Sequence, residues 1–187
     1  MFTAVLFVAG SPAIWAQGTG TTTQAISASF AAASALSVGQ SSLSLVRGGS
    51  IFSNYTASLT VQYKVRTTSS GSSTITVHAA SNFSPANGPS VSGTTSDLTY
   101  TCSSTTGTSV NQGCTGTQQV KTSASSVVSV GSGICSGTGC ANADPSSVTL
   151  NFSLVDNPAF KTGAYSLSLT FTTSALDRKS TRLNSSH

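Results

Sequence analysis

Three segments of the chain carry large apolar residues at every second position, and this period of two constrains the fold more than any other feature. They are residues 59 to 66, 148 to 154 and 165 to 171, and the intervening positions are Ser, Thr, Asn, Gln, Lys or Arg. Successive side chains of a strand point to opposite faces of a sheet. Each segment therefore predicts a strand with one buried and one solvated face.

Shorter segments predict further strands, because they are rich in Thr and β-branched residues and are bounded by Gly, Ser, Asn or Pro. They are residues 26 to 30, 36 to 38, 43 to 46, 74 to 79, 98 to 102, 117 to 121 and 127 to 130. The alanines between residues 30 and 36 favour a helix, but their Ser and Thr neighbours favour a strand. Many short strands separated by turn residues predict an all-β, antiparallel sandwich or barrel.

Residues 1 to 16 have the layout of a secretory signal peptide, in which an apolar stretch and small residues precede a polar run. Cleavage is predicted after Ala16. No Lys or Arg precedes the apolar stretch, so the basic segment that usually opens such a signal is missing. A buried strand or helix is the alternative. The stretch is shorter than the roughly 20 residues that a bilayer-spanning helix needs, so no membrane span is predicted in the mature protein.

Residues 177 to 187, DRKSTRLNSSH, resemble one translated reading frame of a common sequencing-library adapter. We interpret them as an artefactual tail, the alternative being a natural basic tail that binds nucleic acid or anionic lipid. Three of the eight Lys and Arg and one of the four acidic residues lie there, so without this tail the net charge falls from +4 to +2. The other cations form no basic run, which argues against a nucleic-acid partner. Residues 17 to 176 remain as a single predicted domain.

The cysteine content fits an oxidising compartment, because an even number of cysteines accompanies an apparent export signal. The four are Cys102, Cys114, Cys135 and Cys140, and three pairings are open. We favour Cys102 with Cys114 and Cys135 with Cys140, since each pair flanks a loop of Ser, Thr and Gly. A zinc site is the alternative, but the spacing lacks two C-x-x-C pairs, so no metal is predicted.

Groups for catalysis are scarce between residues 17 and 176. There is no Glu, the acidic residues are Asp97, Asp144 and Asp156, and the single histidine is His78. General acid–base chemistry needs positioned titratable groups, and a serine nucleophile needs a base, so we predict that the chain is not an enzyme and takes no cofactor. His78 differs in parity from Ile75 and Val77, which places it on the solvated face of its strand.

The order of the segments resembles bacterial secreted modules of the fimbrial-subunit and spore-coat-protein-U type. The resemblance is carried by QAISASF at residues 24 to 30, the long strand YTASLTVQYKVRTT from residue 55, and a closing GAYSLSLTFTTSA in which a Gly-x-Tyr step opens an amphipathic last strand. That step is Gly163, Ala164 and Tyr165. The chain departs from the pattern in having no cysteine near the first strands, where many such subunits carry one.

The resemblance implies an immunoglobulin-like β-sandwich of a secreted, periplasmic or cell-surface structural protein. Its assembly strand would include Gly163, Tyr165, Leu167, Leu169 and Phe171, and its partners would be other copies, related subunits or a periplasmic chaperone. Edge strands without Lys or Pro can accept a strand from a neighbour.

A carbohydrate- or ligand-binding module without catalysis is the alternative function. It would use Tyr55, Tyr63, Tyr100 and the loop of residues 83 to 89 as a binding platform.

Overall fold

A computed structural model describes residues 25 to 28, 33 to 66, 71 to 106, 111 to 130 and 146 to 176. The chain divides into two compact units, Met1–Phe30 and Ala31–His187. Of the first unit, residues 25 to 28 are described; they are exposed and have no regular secondary structure, so residues 26 to 28 of the strand predicted at 26 to 30 do not form one, and residues 29 and 30 lie outside the described residues. The predicted signal peptide, the tail and the second cysteine pair lie outside the described residues.

The second unit is an all-β sandwich, and its described residues contain strands and no helix. In chain order the strands are β1 (Ala33–Val38), β2 (Val46–Arg47), β3 (Tyr55–Arg66), β4 (Ser72–Ala79), β5 (Leu98–Thr106), β6 (Asn111–Gly113), β7 (Gln118–Gln119), β8 (Ser125–Val130), β9 (Ser146–Leu154) and β10 (Leu169–Leu176). This result confirms the predicted fold class, an antiparallel β-sandwich.

The strands form two antiparallel sheets that pack against each other. Sheet A has the order β1, β3, β9, β5, β7, with β2 also paired to β3, and sheet B has the order β10, β4, β8, β6. Both β1 and β2 pair with one side of β3, and β9 pairs with its other side. The two edges of the sandwich are therefore β1 and β10 on one side, and β7 and β6 on the other.

The core lies between the sheets, as the period-two pattern predicts. Along β3 the side chains of Leu59, Val61 and Tyr63 are buried while the residues between them are exposed. Along β9, Val148, Leu150 and Phe152 are buried in the same way. The buried apolar cluster comprises Leu59, Val61, Tyr63, Ile75, Val77, Ala79, Phe83, Val91, Leu98, Tyr100, Val120, Val127, Val128, Val130, Val148, Leu150 and Phe152.

The third alternating segment is less regular than its sequence predicts. The strand β10 begins only at Leu169, and before it an isolated bridge pairs Ser166 with Ser84, which lies in the segment after β4. The side chains still alternate, but those at Tyr165, Leu167, Leu169 and Phe171 are half-buried rather than buried. Apolar residues of this segment therefore lie at the margin of the core.

The start of the first strand, β1, and the end of the last strand, β10, lie at the same end of the sandwich. Ala33 at the start of β1 pairs with Arg66, where β3 ends. Leu176 at the end of β10 pairs with Ser72, where β4 begins. The start of β1 therefore lies beside the end of β3, and the end of β10 beside the start of β4, which is the next strand in the chain.

Candidate functional site

The edge of sheet A is interrupted next to β3. At the end of β1, the backbone N–H of Gly39 donates to the carbonyl of Thr60 at 3.1 Å. Pairing resumes only where Val46 of β2 lies opposite Thr56. Residues 40 to 45 leave the sheet between these points, although residues 43 to 46 were predicted as a strand. The described strand pairings thus leave residues 57 to 59 of β3 uncovered along this edge.

A groove with a volume of about 480 Å³ opens where the chain departs from the edge. One wall comes from the residues that follow β1, and the other from the segment that leads into β10. The lining residues are Val38, Gln40, Ser41, Ser42, Leu43, Leu45, Leu59, Phe83, Leu98, Phe152, Tyr165, Ser166, Leu167, Ser168, Leu169 and Phe171. None of these residues is charged, and most of them are apolar.

The groove is lined by apolar side chains that the sandwich does not fully cover. Leu43 and Leu45 on one wall, and Leu167 and Leu169 on the other, are half-buried and pack against the core. Clefts lined predominantly by hydrophobic and aromatic side chains commonly serve as binding sites. Four of the five predicted assembly residues line this groove, while Gly163 lies before it and is exposed.

The wall that leads into β10 is held in place by a tyrosine and a short ladder. The Tyr165 hydroxyl donates to the Lys161 carbonyl at 2.7 Å. Its ring lies over Gly88 so closely that a Cβ added there would come within 2.1 Å of the ring. Backbone hydrogen bonds of 2.9 Å run in both directions between Ser84 and Ser166. Because several contacts fix this wall, the groove is a formed feature of the fold.

The opposite edge of the sandwich is closed by a disulfide. Cys102 of β5 in sheet A is bonded to Cys114, which follows β6 of sheet B, and their Cα atoms are 5.5 Å apart. This is the first of the two pairings favoured from the sequence. Cys135 and Cys140 lie outside the described residues.

Two of the titratable groups that sequence analysis considered for catalysis, Asp97 and Asp156, make structural contacts. Asp97 accepts a hydrogen bond from the backbone N–H of Ser90 at 2.7 Å. Asp156 forms an ion pair with Arg47 at 3.3 Å. His78 alternates with buried residues along β4, as its parity predicts, and Asp144 lies outside the described residues. Within the described ranges, no three His, Cys, Asp or Glu side chains form a group that could hold a metal ion.

The predicted platform for a carbohydrate or other ligand is wrong in two of its three tyrosines, because these are buried. Tyr63 and Tyr100 are buried in the core, as is Phe83. Burial also raises the pKa of Tyr100, since the phenolate form would lose its hydration there. Tyr55 instead accepts a hydrogen bond from Arg47 at 2.7 Å.

The hairpin between β2 and β3 carries two exposed apolar residues at its tip. Ile51 is 76% exposed and Phe52 is 55% exposed. Phe52 has a φ of 64°, a conformation that is uncommon for an aromatic residue. The hydrogen bond and ion pair of Arg47, together with its position over the Tyr55 ring at 5.2 Å, hold the base of this hairpin.

Comparisons with models of protein families, with curated proteins and with solved structures find no match. In the part of the chain that the structure describes, no helix is long and apolar enough to cross a membrane. The class of protein defined by the fold and the site is an antiparallel β-sandwich with one closed edge and one grooved edge.

Proposed function

We propose that the chain is a secreted or cell-surface structural module that assembles by accepting a strand from another chain, in the manner of a fimbrial or coat subunit. The observation that carries the proposal is the apolar groove between the edges of the two sheets. The acceptor wall is the segment through Tyr165, Leu167, Leu169 and Phe171. The proposed role is non-enzymatic.

The interrupted edge of β3 supplies the first requirement for such a role, which is an available backbone. Residues 57 to 59 have no neighbouring strand along that edge. On the other wall, β10 pairs only with β4 among the described strands, which leaves its outer side without a strand partner. An incoming extended segment could form main-chain hydrogen bonds with either wall, as in other complexes formed by β-strand addition.

The half-buried leucines supply the second requirement, which is a gain in buried apolar surface. A strand with apolar residues at alternate positions would cover Leu43, Leu45, Leu167 and Leu169 while keeping its polar side chains in water. The uncharged lining disfavours a strand that places a charged side chain inwards, because desolvating an unpaired charge is costly. Other copies, related subunits and a periplasmic chaperone are all sources of such a strand.

The experiment measures the binding of a labelled peptide, QAISASFAA, which has the sequence of residues 24 to 32, to the purified chain by fluorescence anisotropy. This peptide has the required alternation, with Ile26, Ala28 and Phe30 on one face. A second peptide with Asp in place of both Ile26 and Phe30 serves as the control ligand. We expect saturable binding of the first peptide and none of the second.

Two variants locate the binding site. Leu167→Asp places a carboxylate on the groove wall, whereas Thr170→Asp places one on the exposed face of β10. We expect Leu167→Asp to abolish peptide binding and Thr170→Asp to preserve it, with thermal melting showing that both are folded. The proposal fails if neither peptide binds and sedimentation shows a strict monomer at high concentration, or if the two variants bind equally.

A further inference from the structure

The outer face of sheet A carries a regular array of polar side chains. Three residues from each of three adjacent strands lie in register: Thr56, Ser58 and Thr60 of β3, Ser153, Asn151 and Thr149 of β9, and Thr99, Thr101 and Ser103 of β5. We call these nine residues the hydroxyl face. Every member has a hydroxyl or an amide, and none is charged or aromatic. Sheet geometry spaces them by about 4.8 Å across the strands and about 6.7 Å along them.

A shallow depression of about 500 Å³ lies on this face. It is lined by Thr56, Ala57, Ser58, Thr99, Tyr100, Thr101, Thr117, Asn151, Phe152 and Ser153. Tyr100 and Phe152 direct their side chains into the core, so the depression offers the polar groups of the array to solvent. Its volume lies within the range of small-molecule sites, which is about 300 to 1,000 Å³.

Asn151 lies at the centre of the array with its orientation fixed. The Ser58 hydroxyl donates to the Asn151 Oδ1 at 2.7 Å. This bond turns the Nδ2 group away from β3, and no partner for Nδ2 is found among the described residues. Nearby, the Asn54 Nδ2 donates to the Ser153 hydroxyl at 3.1 Å. Other hydroxyls are bonded within the array: Thr99 and Ser103 each donate to a β9 carbonyl at 3.3 Å, and the Thr60 and Thr149 hydroxyls are 3.2 Å apart. The Thr56 and Thr101 hydroxyls have no partner among the described residues, and each can donate or accept.

We propose that the hydroxyl face is a binding site for a neutral glycan. Sugar hydroxyls, like Ser, Thr and Asn side chains, both donate and accept hydrogen bonds, and the uncharged array matches an uncharged polymer. The site uses side chains on the outer face of sheet A, whereas the strand-accepting groove lies at the sheet edge and meets this face at the Ser58 backbone; the inference goes beyond the proposed function.

Two other classes of occupant fit the face poorly. A strand cannot add there, because β9 is already paired with both β3 and β5. Protein interfaces are enriched in aromatic residues, Met and Arg at their centres, and the array has none of these. With no ring to stack on a sugar, the affinity of one site is low, so a polymeric glycan that engages several immobilised copies is the suitable probe.

The test uses the full chain immobilised at high density and measures the capture of soluble mannan, dextran and xylan, with heparin as an acidic polymer. The site variant is Thr56→Val, Thr99→Val and Thr101→Val together, which removes three hydroxyls and nearly keeps the side-chain shape. The control variant is Thr76→Val, Thr170→Val and Thr172→Val together, on the outer face of sheet B. Circular dichroism verifies that both variants are folded.

We expect at least one neutral polymer to be captured in a manner insensitive to salt. The site variant should lower its capture by about tenfold, as expected for the loss of a few net hydrogen bonds, and the control variant by less than about twofold. Capture by Leu167→Asp should equal that of the unmodified chain. The inference is overturned if no neutral polymer is captured, if heparin alone is captured and released by salt, or if the site and control variants lose capture equally.

Discussion

The two edges of the sandwich are built in opposite ways. At the edge of β6 and β7, a disulfide joins the sheets between Cys102 and Cys114, and Val120 nearby is buried. At the edge of β1 and β10 no described covalent bond joins the sheets, and the leucines lining the groove are half-buried. The same sheets thus have a sealed side and an accessible side. The difference gives one edge a covalent link between the sheets and leaves partly exposed apolar side chains at the other.

The largest expected effect is on the free energy of unfolding, and it distinguishes a leucine of the core from a leucine of the groove. Leu150→Ala removes a side chain that is 0% exposed, and we expect a loss of about 3 kcal/mol in the free energy of unfolding. Leu167→Ala, on the groove wall, should cost about 1 kcal/mol because its side chain is already partly solvated. Urea denaturation measures both values. Equal losses would contradict the description of the groove as an accessible margin of the core.

The closed edge should depend on its covalent bond. Cys102→Ser and Cys114→Ser together release a cross-link between residues 12 apart in sequence. We expect the free energy of unfolding to fall by about 2 to 3 kcal/mol, chiefly because the unfolded chain regains freedom.

Urea denaturation of this double variant without reductant tests the expectation and leaves other cysteines untouched. Binding of the QAISASFAA peptide to the folded variant should be unchanged. Loss of peptide binding with a folded core would show that the two edges are coupled.

The groove wall can be displaced from a distance. Gly88→Ala would place a methyl group inside the Tyr165 ring, so the ring must move, and we expect about 2 kcal/mol of destabilisation together with weaker peptide binding. Gly163→Ala is the matched control, because the nearest atom to its added Cβ is 3.9 Å away.

Thermal melting and peptide anisotropy follow both glycine variants. If Gly88→Ala and Gly163→Ala behave alike, Tyr165 does not fix the wall.

The smallest expected effect lies in the core. The Tyr100 hydroxyl is buried and has no hydrogen-bond partner among the described residues, so Tyr100→Phe should raise the free energy of unfolding by about 1 kcal/mol. Burial raises the pKa of Tyr100, so its folded-state pKa exceeds the unfolded value of about 10. The stabilisation that follows from the raised pKa of Tyr100 is present below about pH 10, and it is lost as the pH rises through the folded-state pKa.

Denaturation at pH 7 and at pH 11 compares Tyr100→Phe with the unmodified chain. The advantage of the variant should be larger at the higher pH. An unchanged or reversed difference would show that the hydroxyl is solvated or bonded.

The period-two pattern predicted the centre of the fold well because burial there follows directly from alternation. Leu59, Val61 and Leu150 are buried where the pattern places them. The pairing of Cys102 with Cys114 was favoured on loop composition and is the one present. Local sequence carries these features, since they depend on neighbours along a strand or around a loop.

The groove could not be predicted in the same way. Leu43 and Leu45 alternate as in a strand, yet they leave the sheet edge, and nothing local indicates that they face the segment through Leu167. The packing of the Tyr165 ring against Gly88 brings together residues that are far apart in sequence. The tyrosine platform failed for a related reason: aromatic residues predict a surface only if their strand parity is considered, and Tyr63 and Tyr100 have inward parity.

The placement of the two terminal strands has a mechanical consequence. The start of β1 lies beside the end of β3, and the end of β10 lies beside the start of β4. Tension that pulls these ends apart would therefore peel each strand away one hydrogen-bonded pair at a time, which requires little force. A foreign segment lying lengthwise in the groove and pulled along its axis would instead load its bonds together in shear. A fibre made of such units would transmit force through the inserted segments more strongly than through its own chain ends.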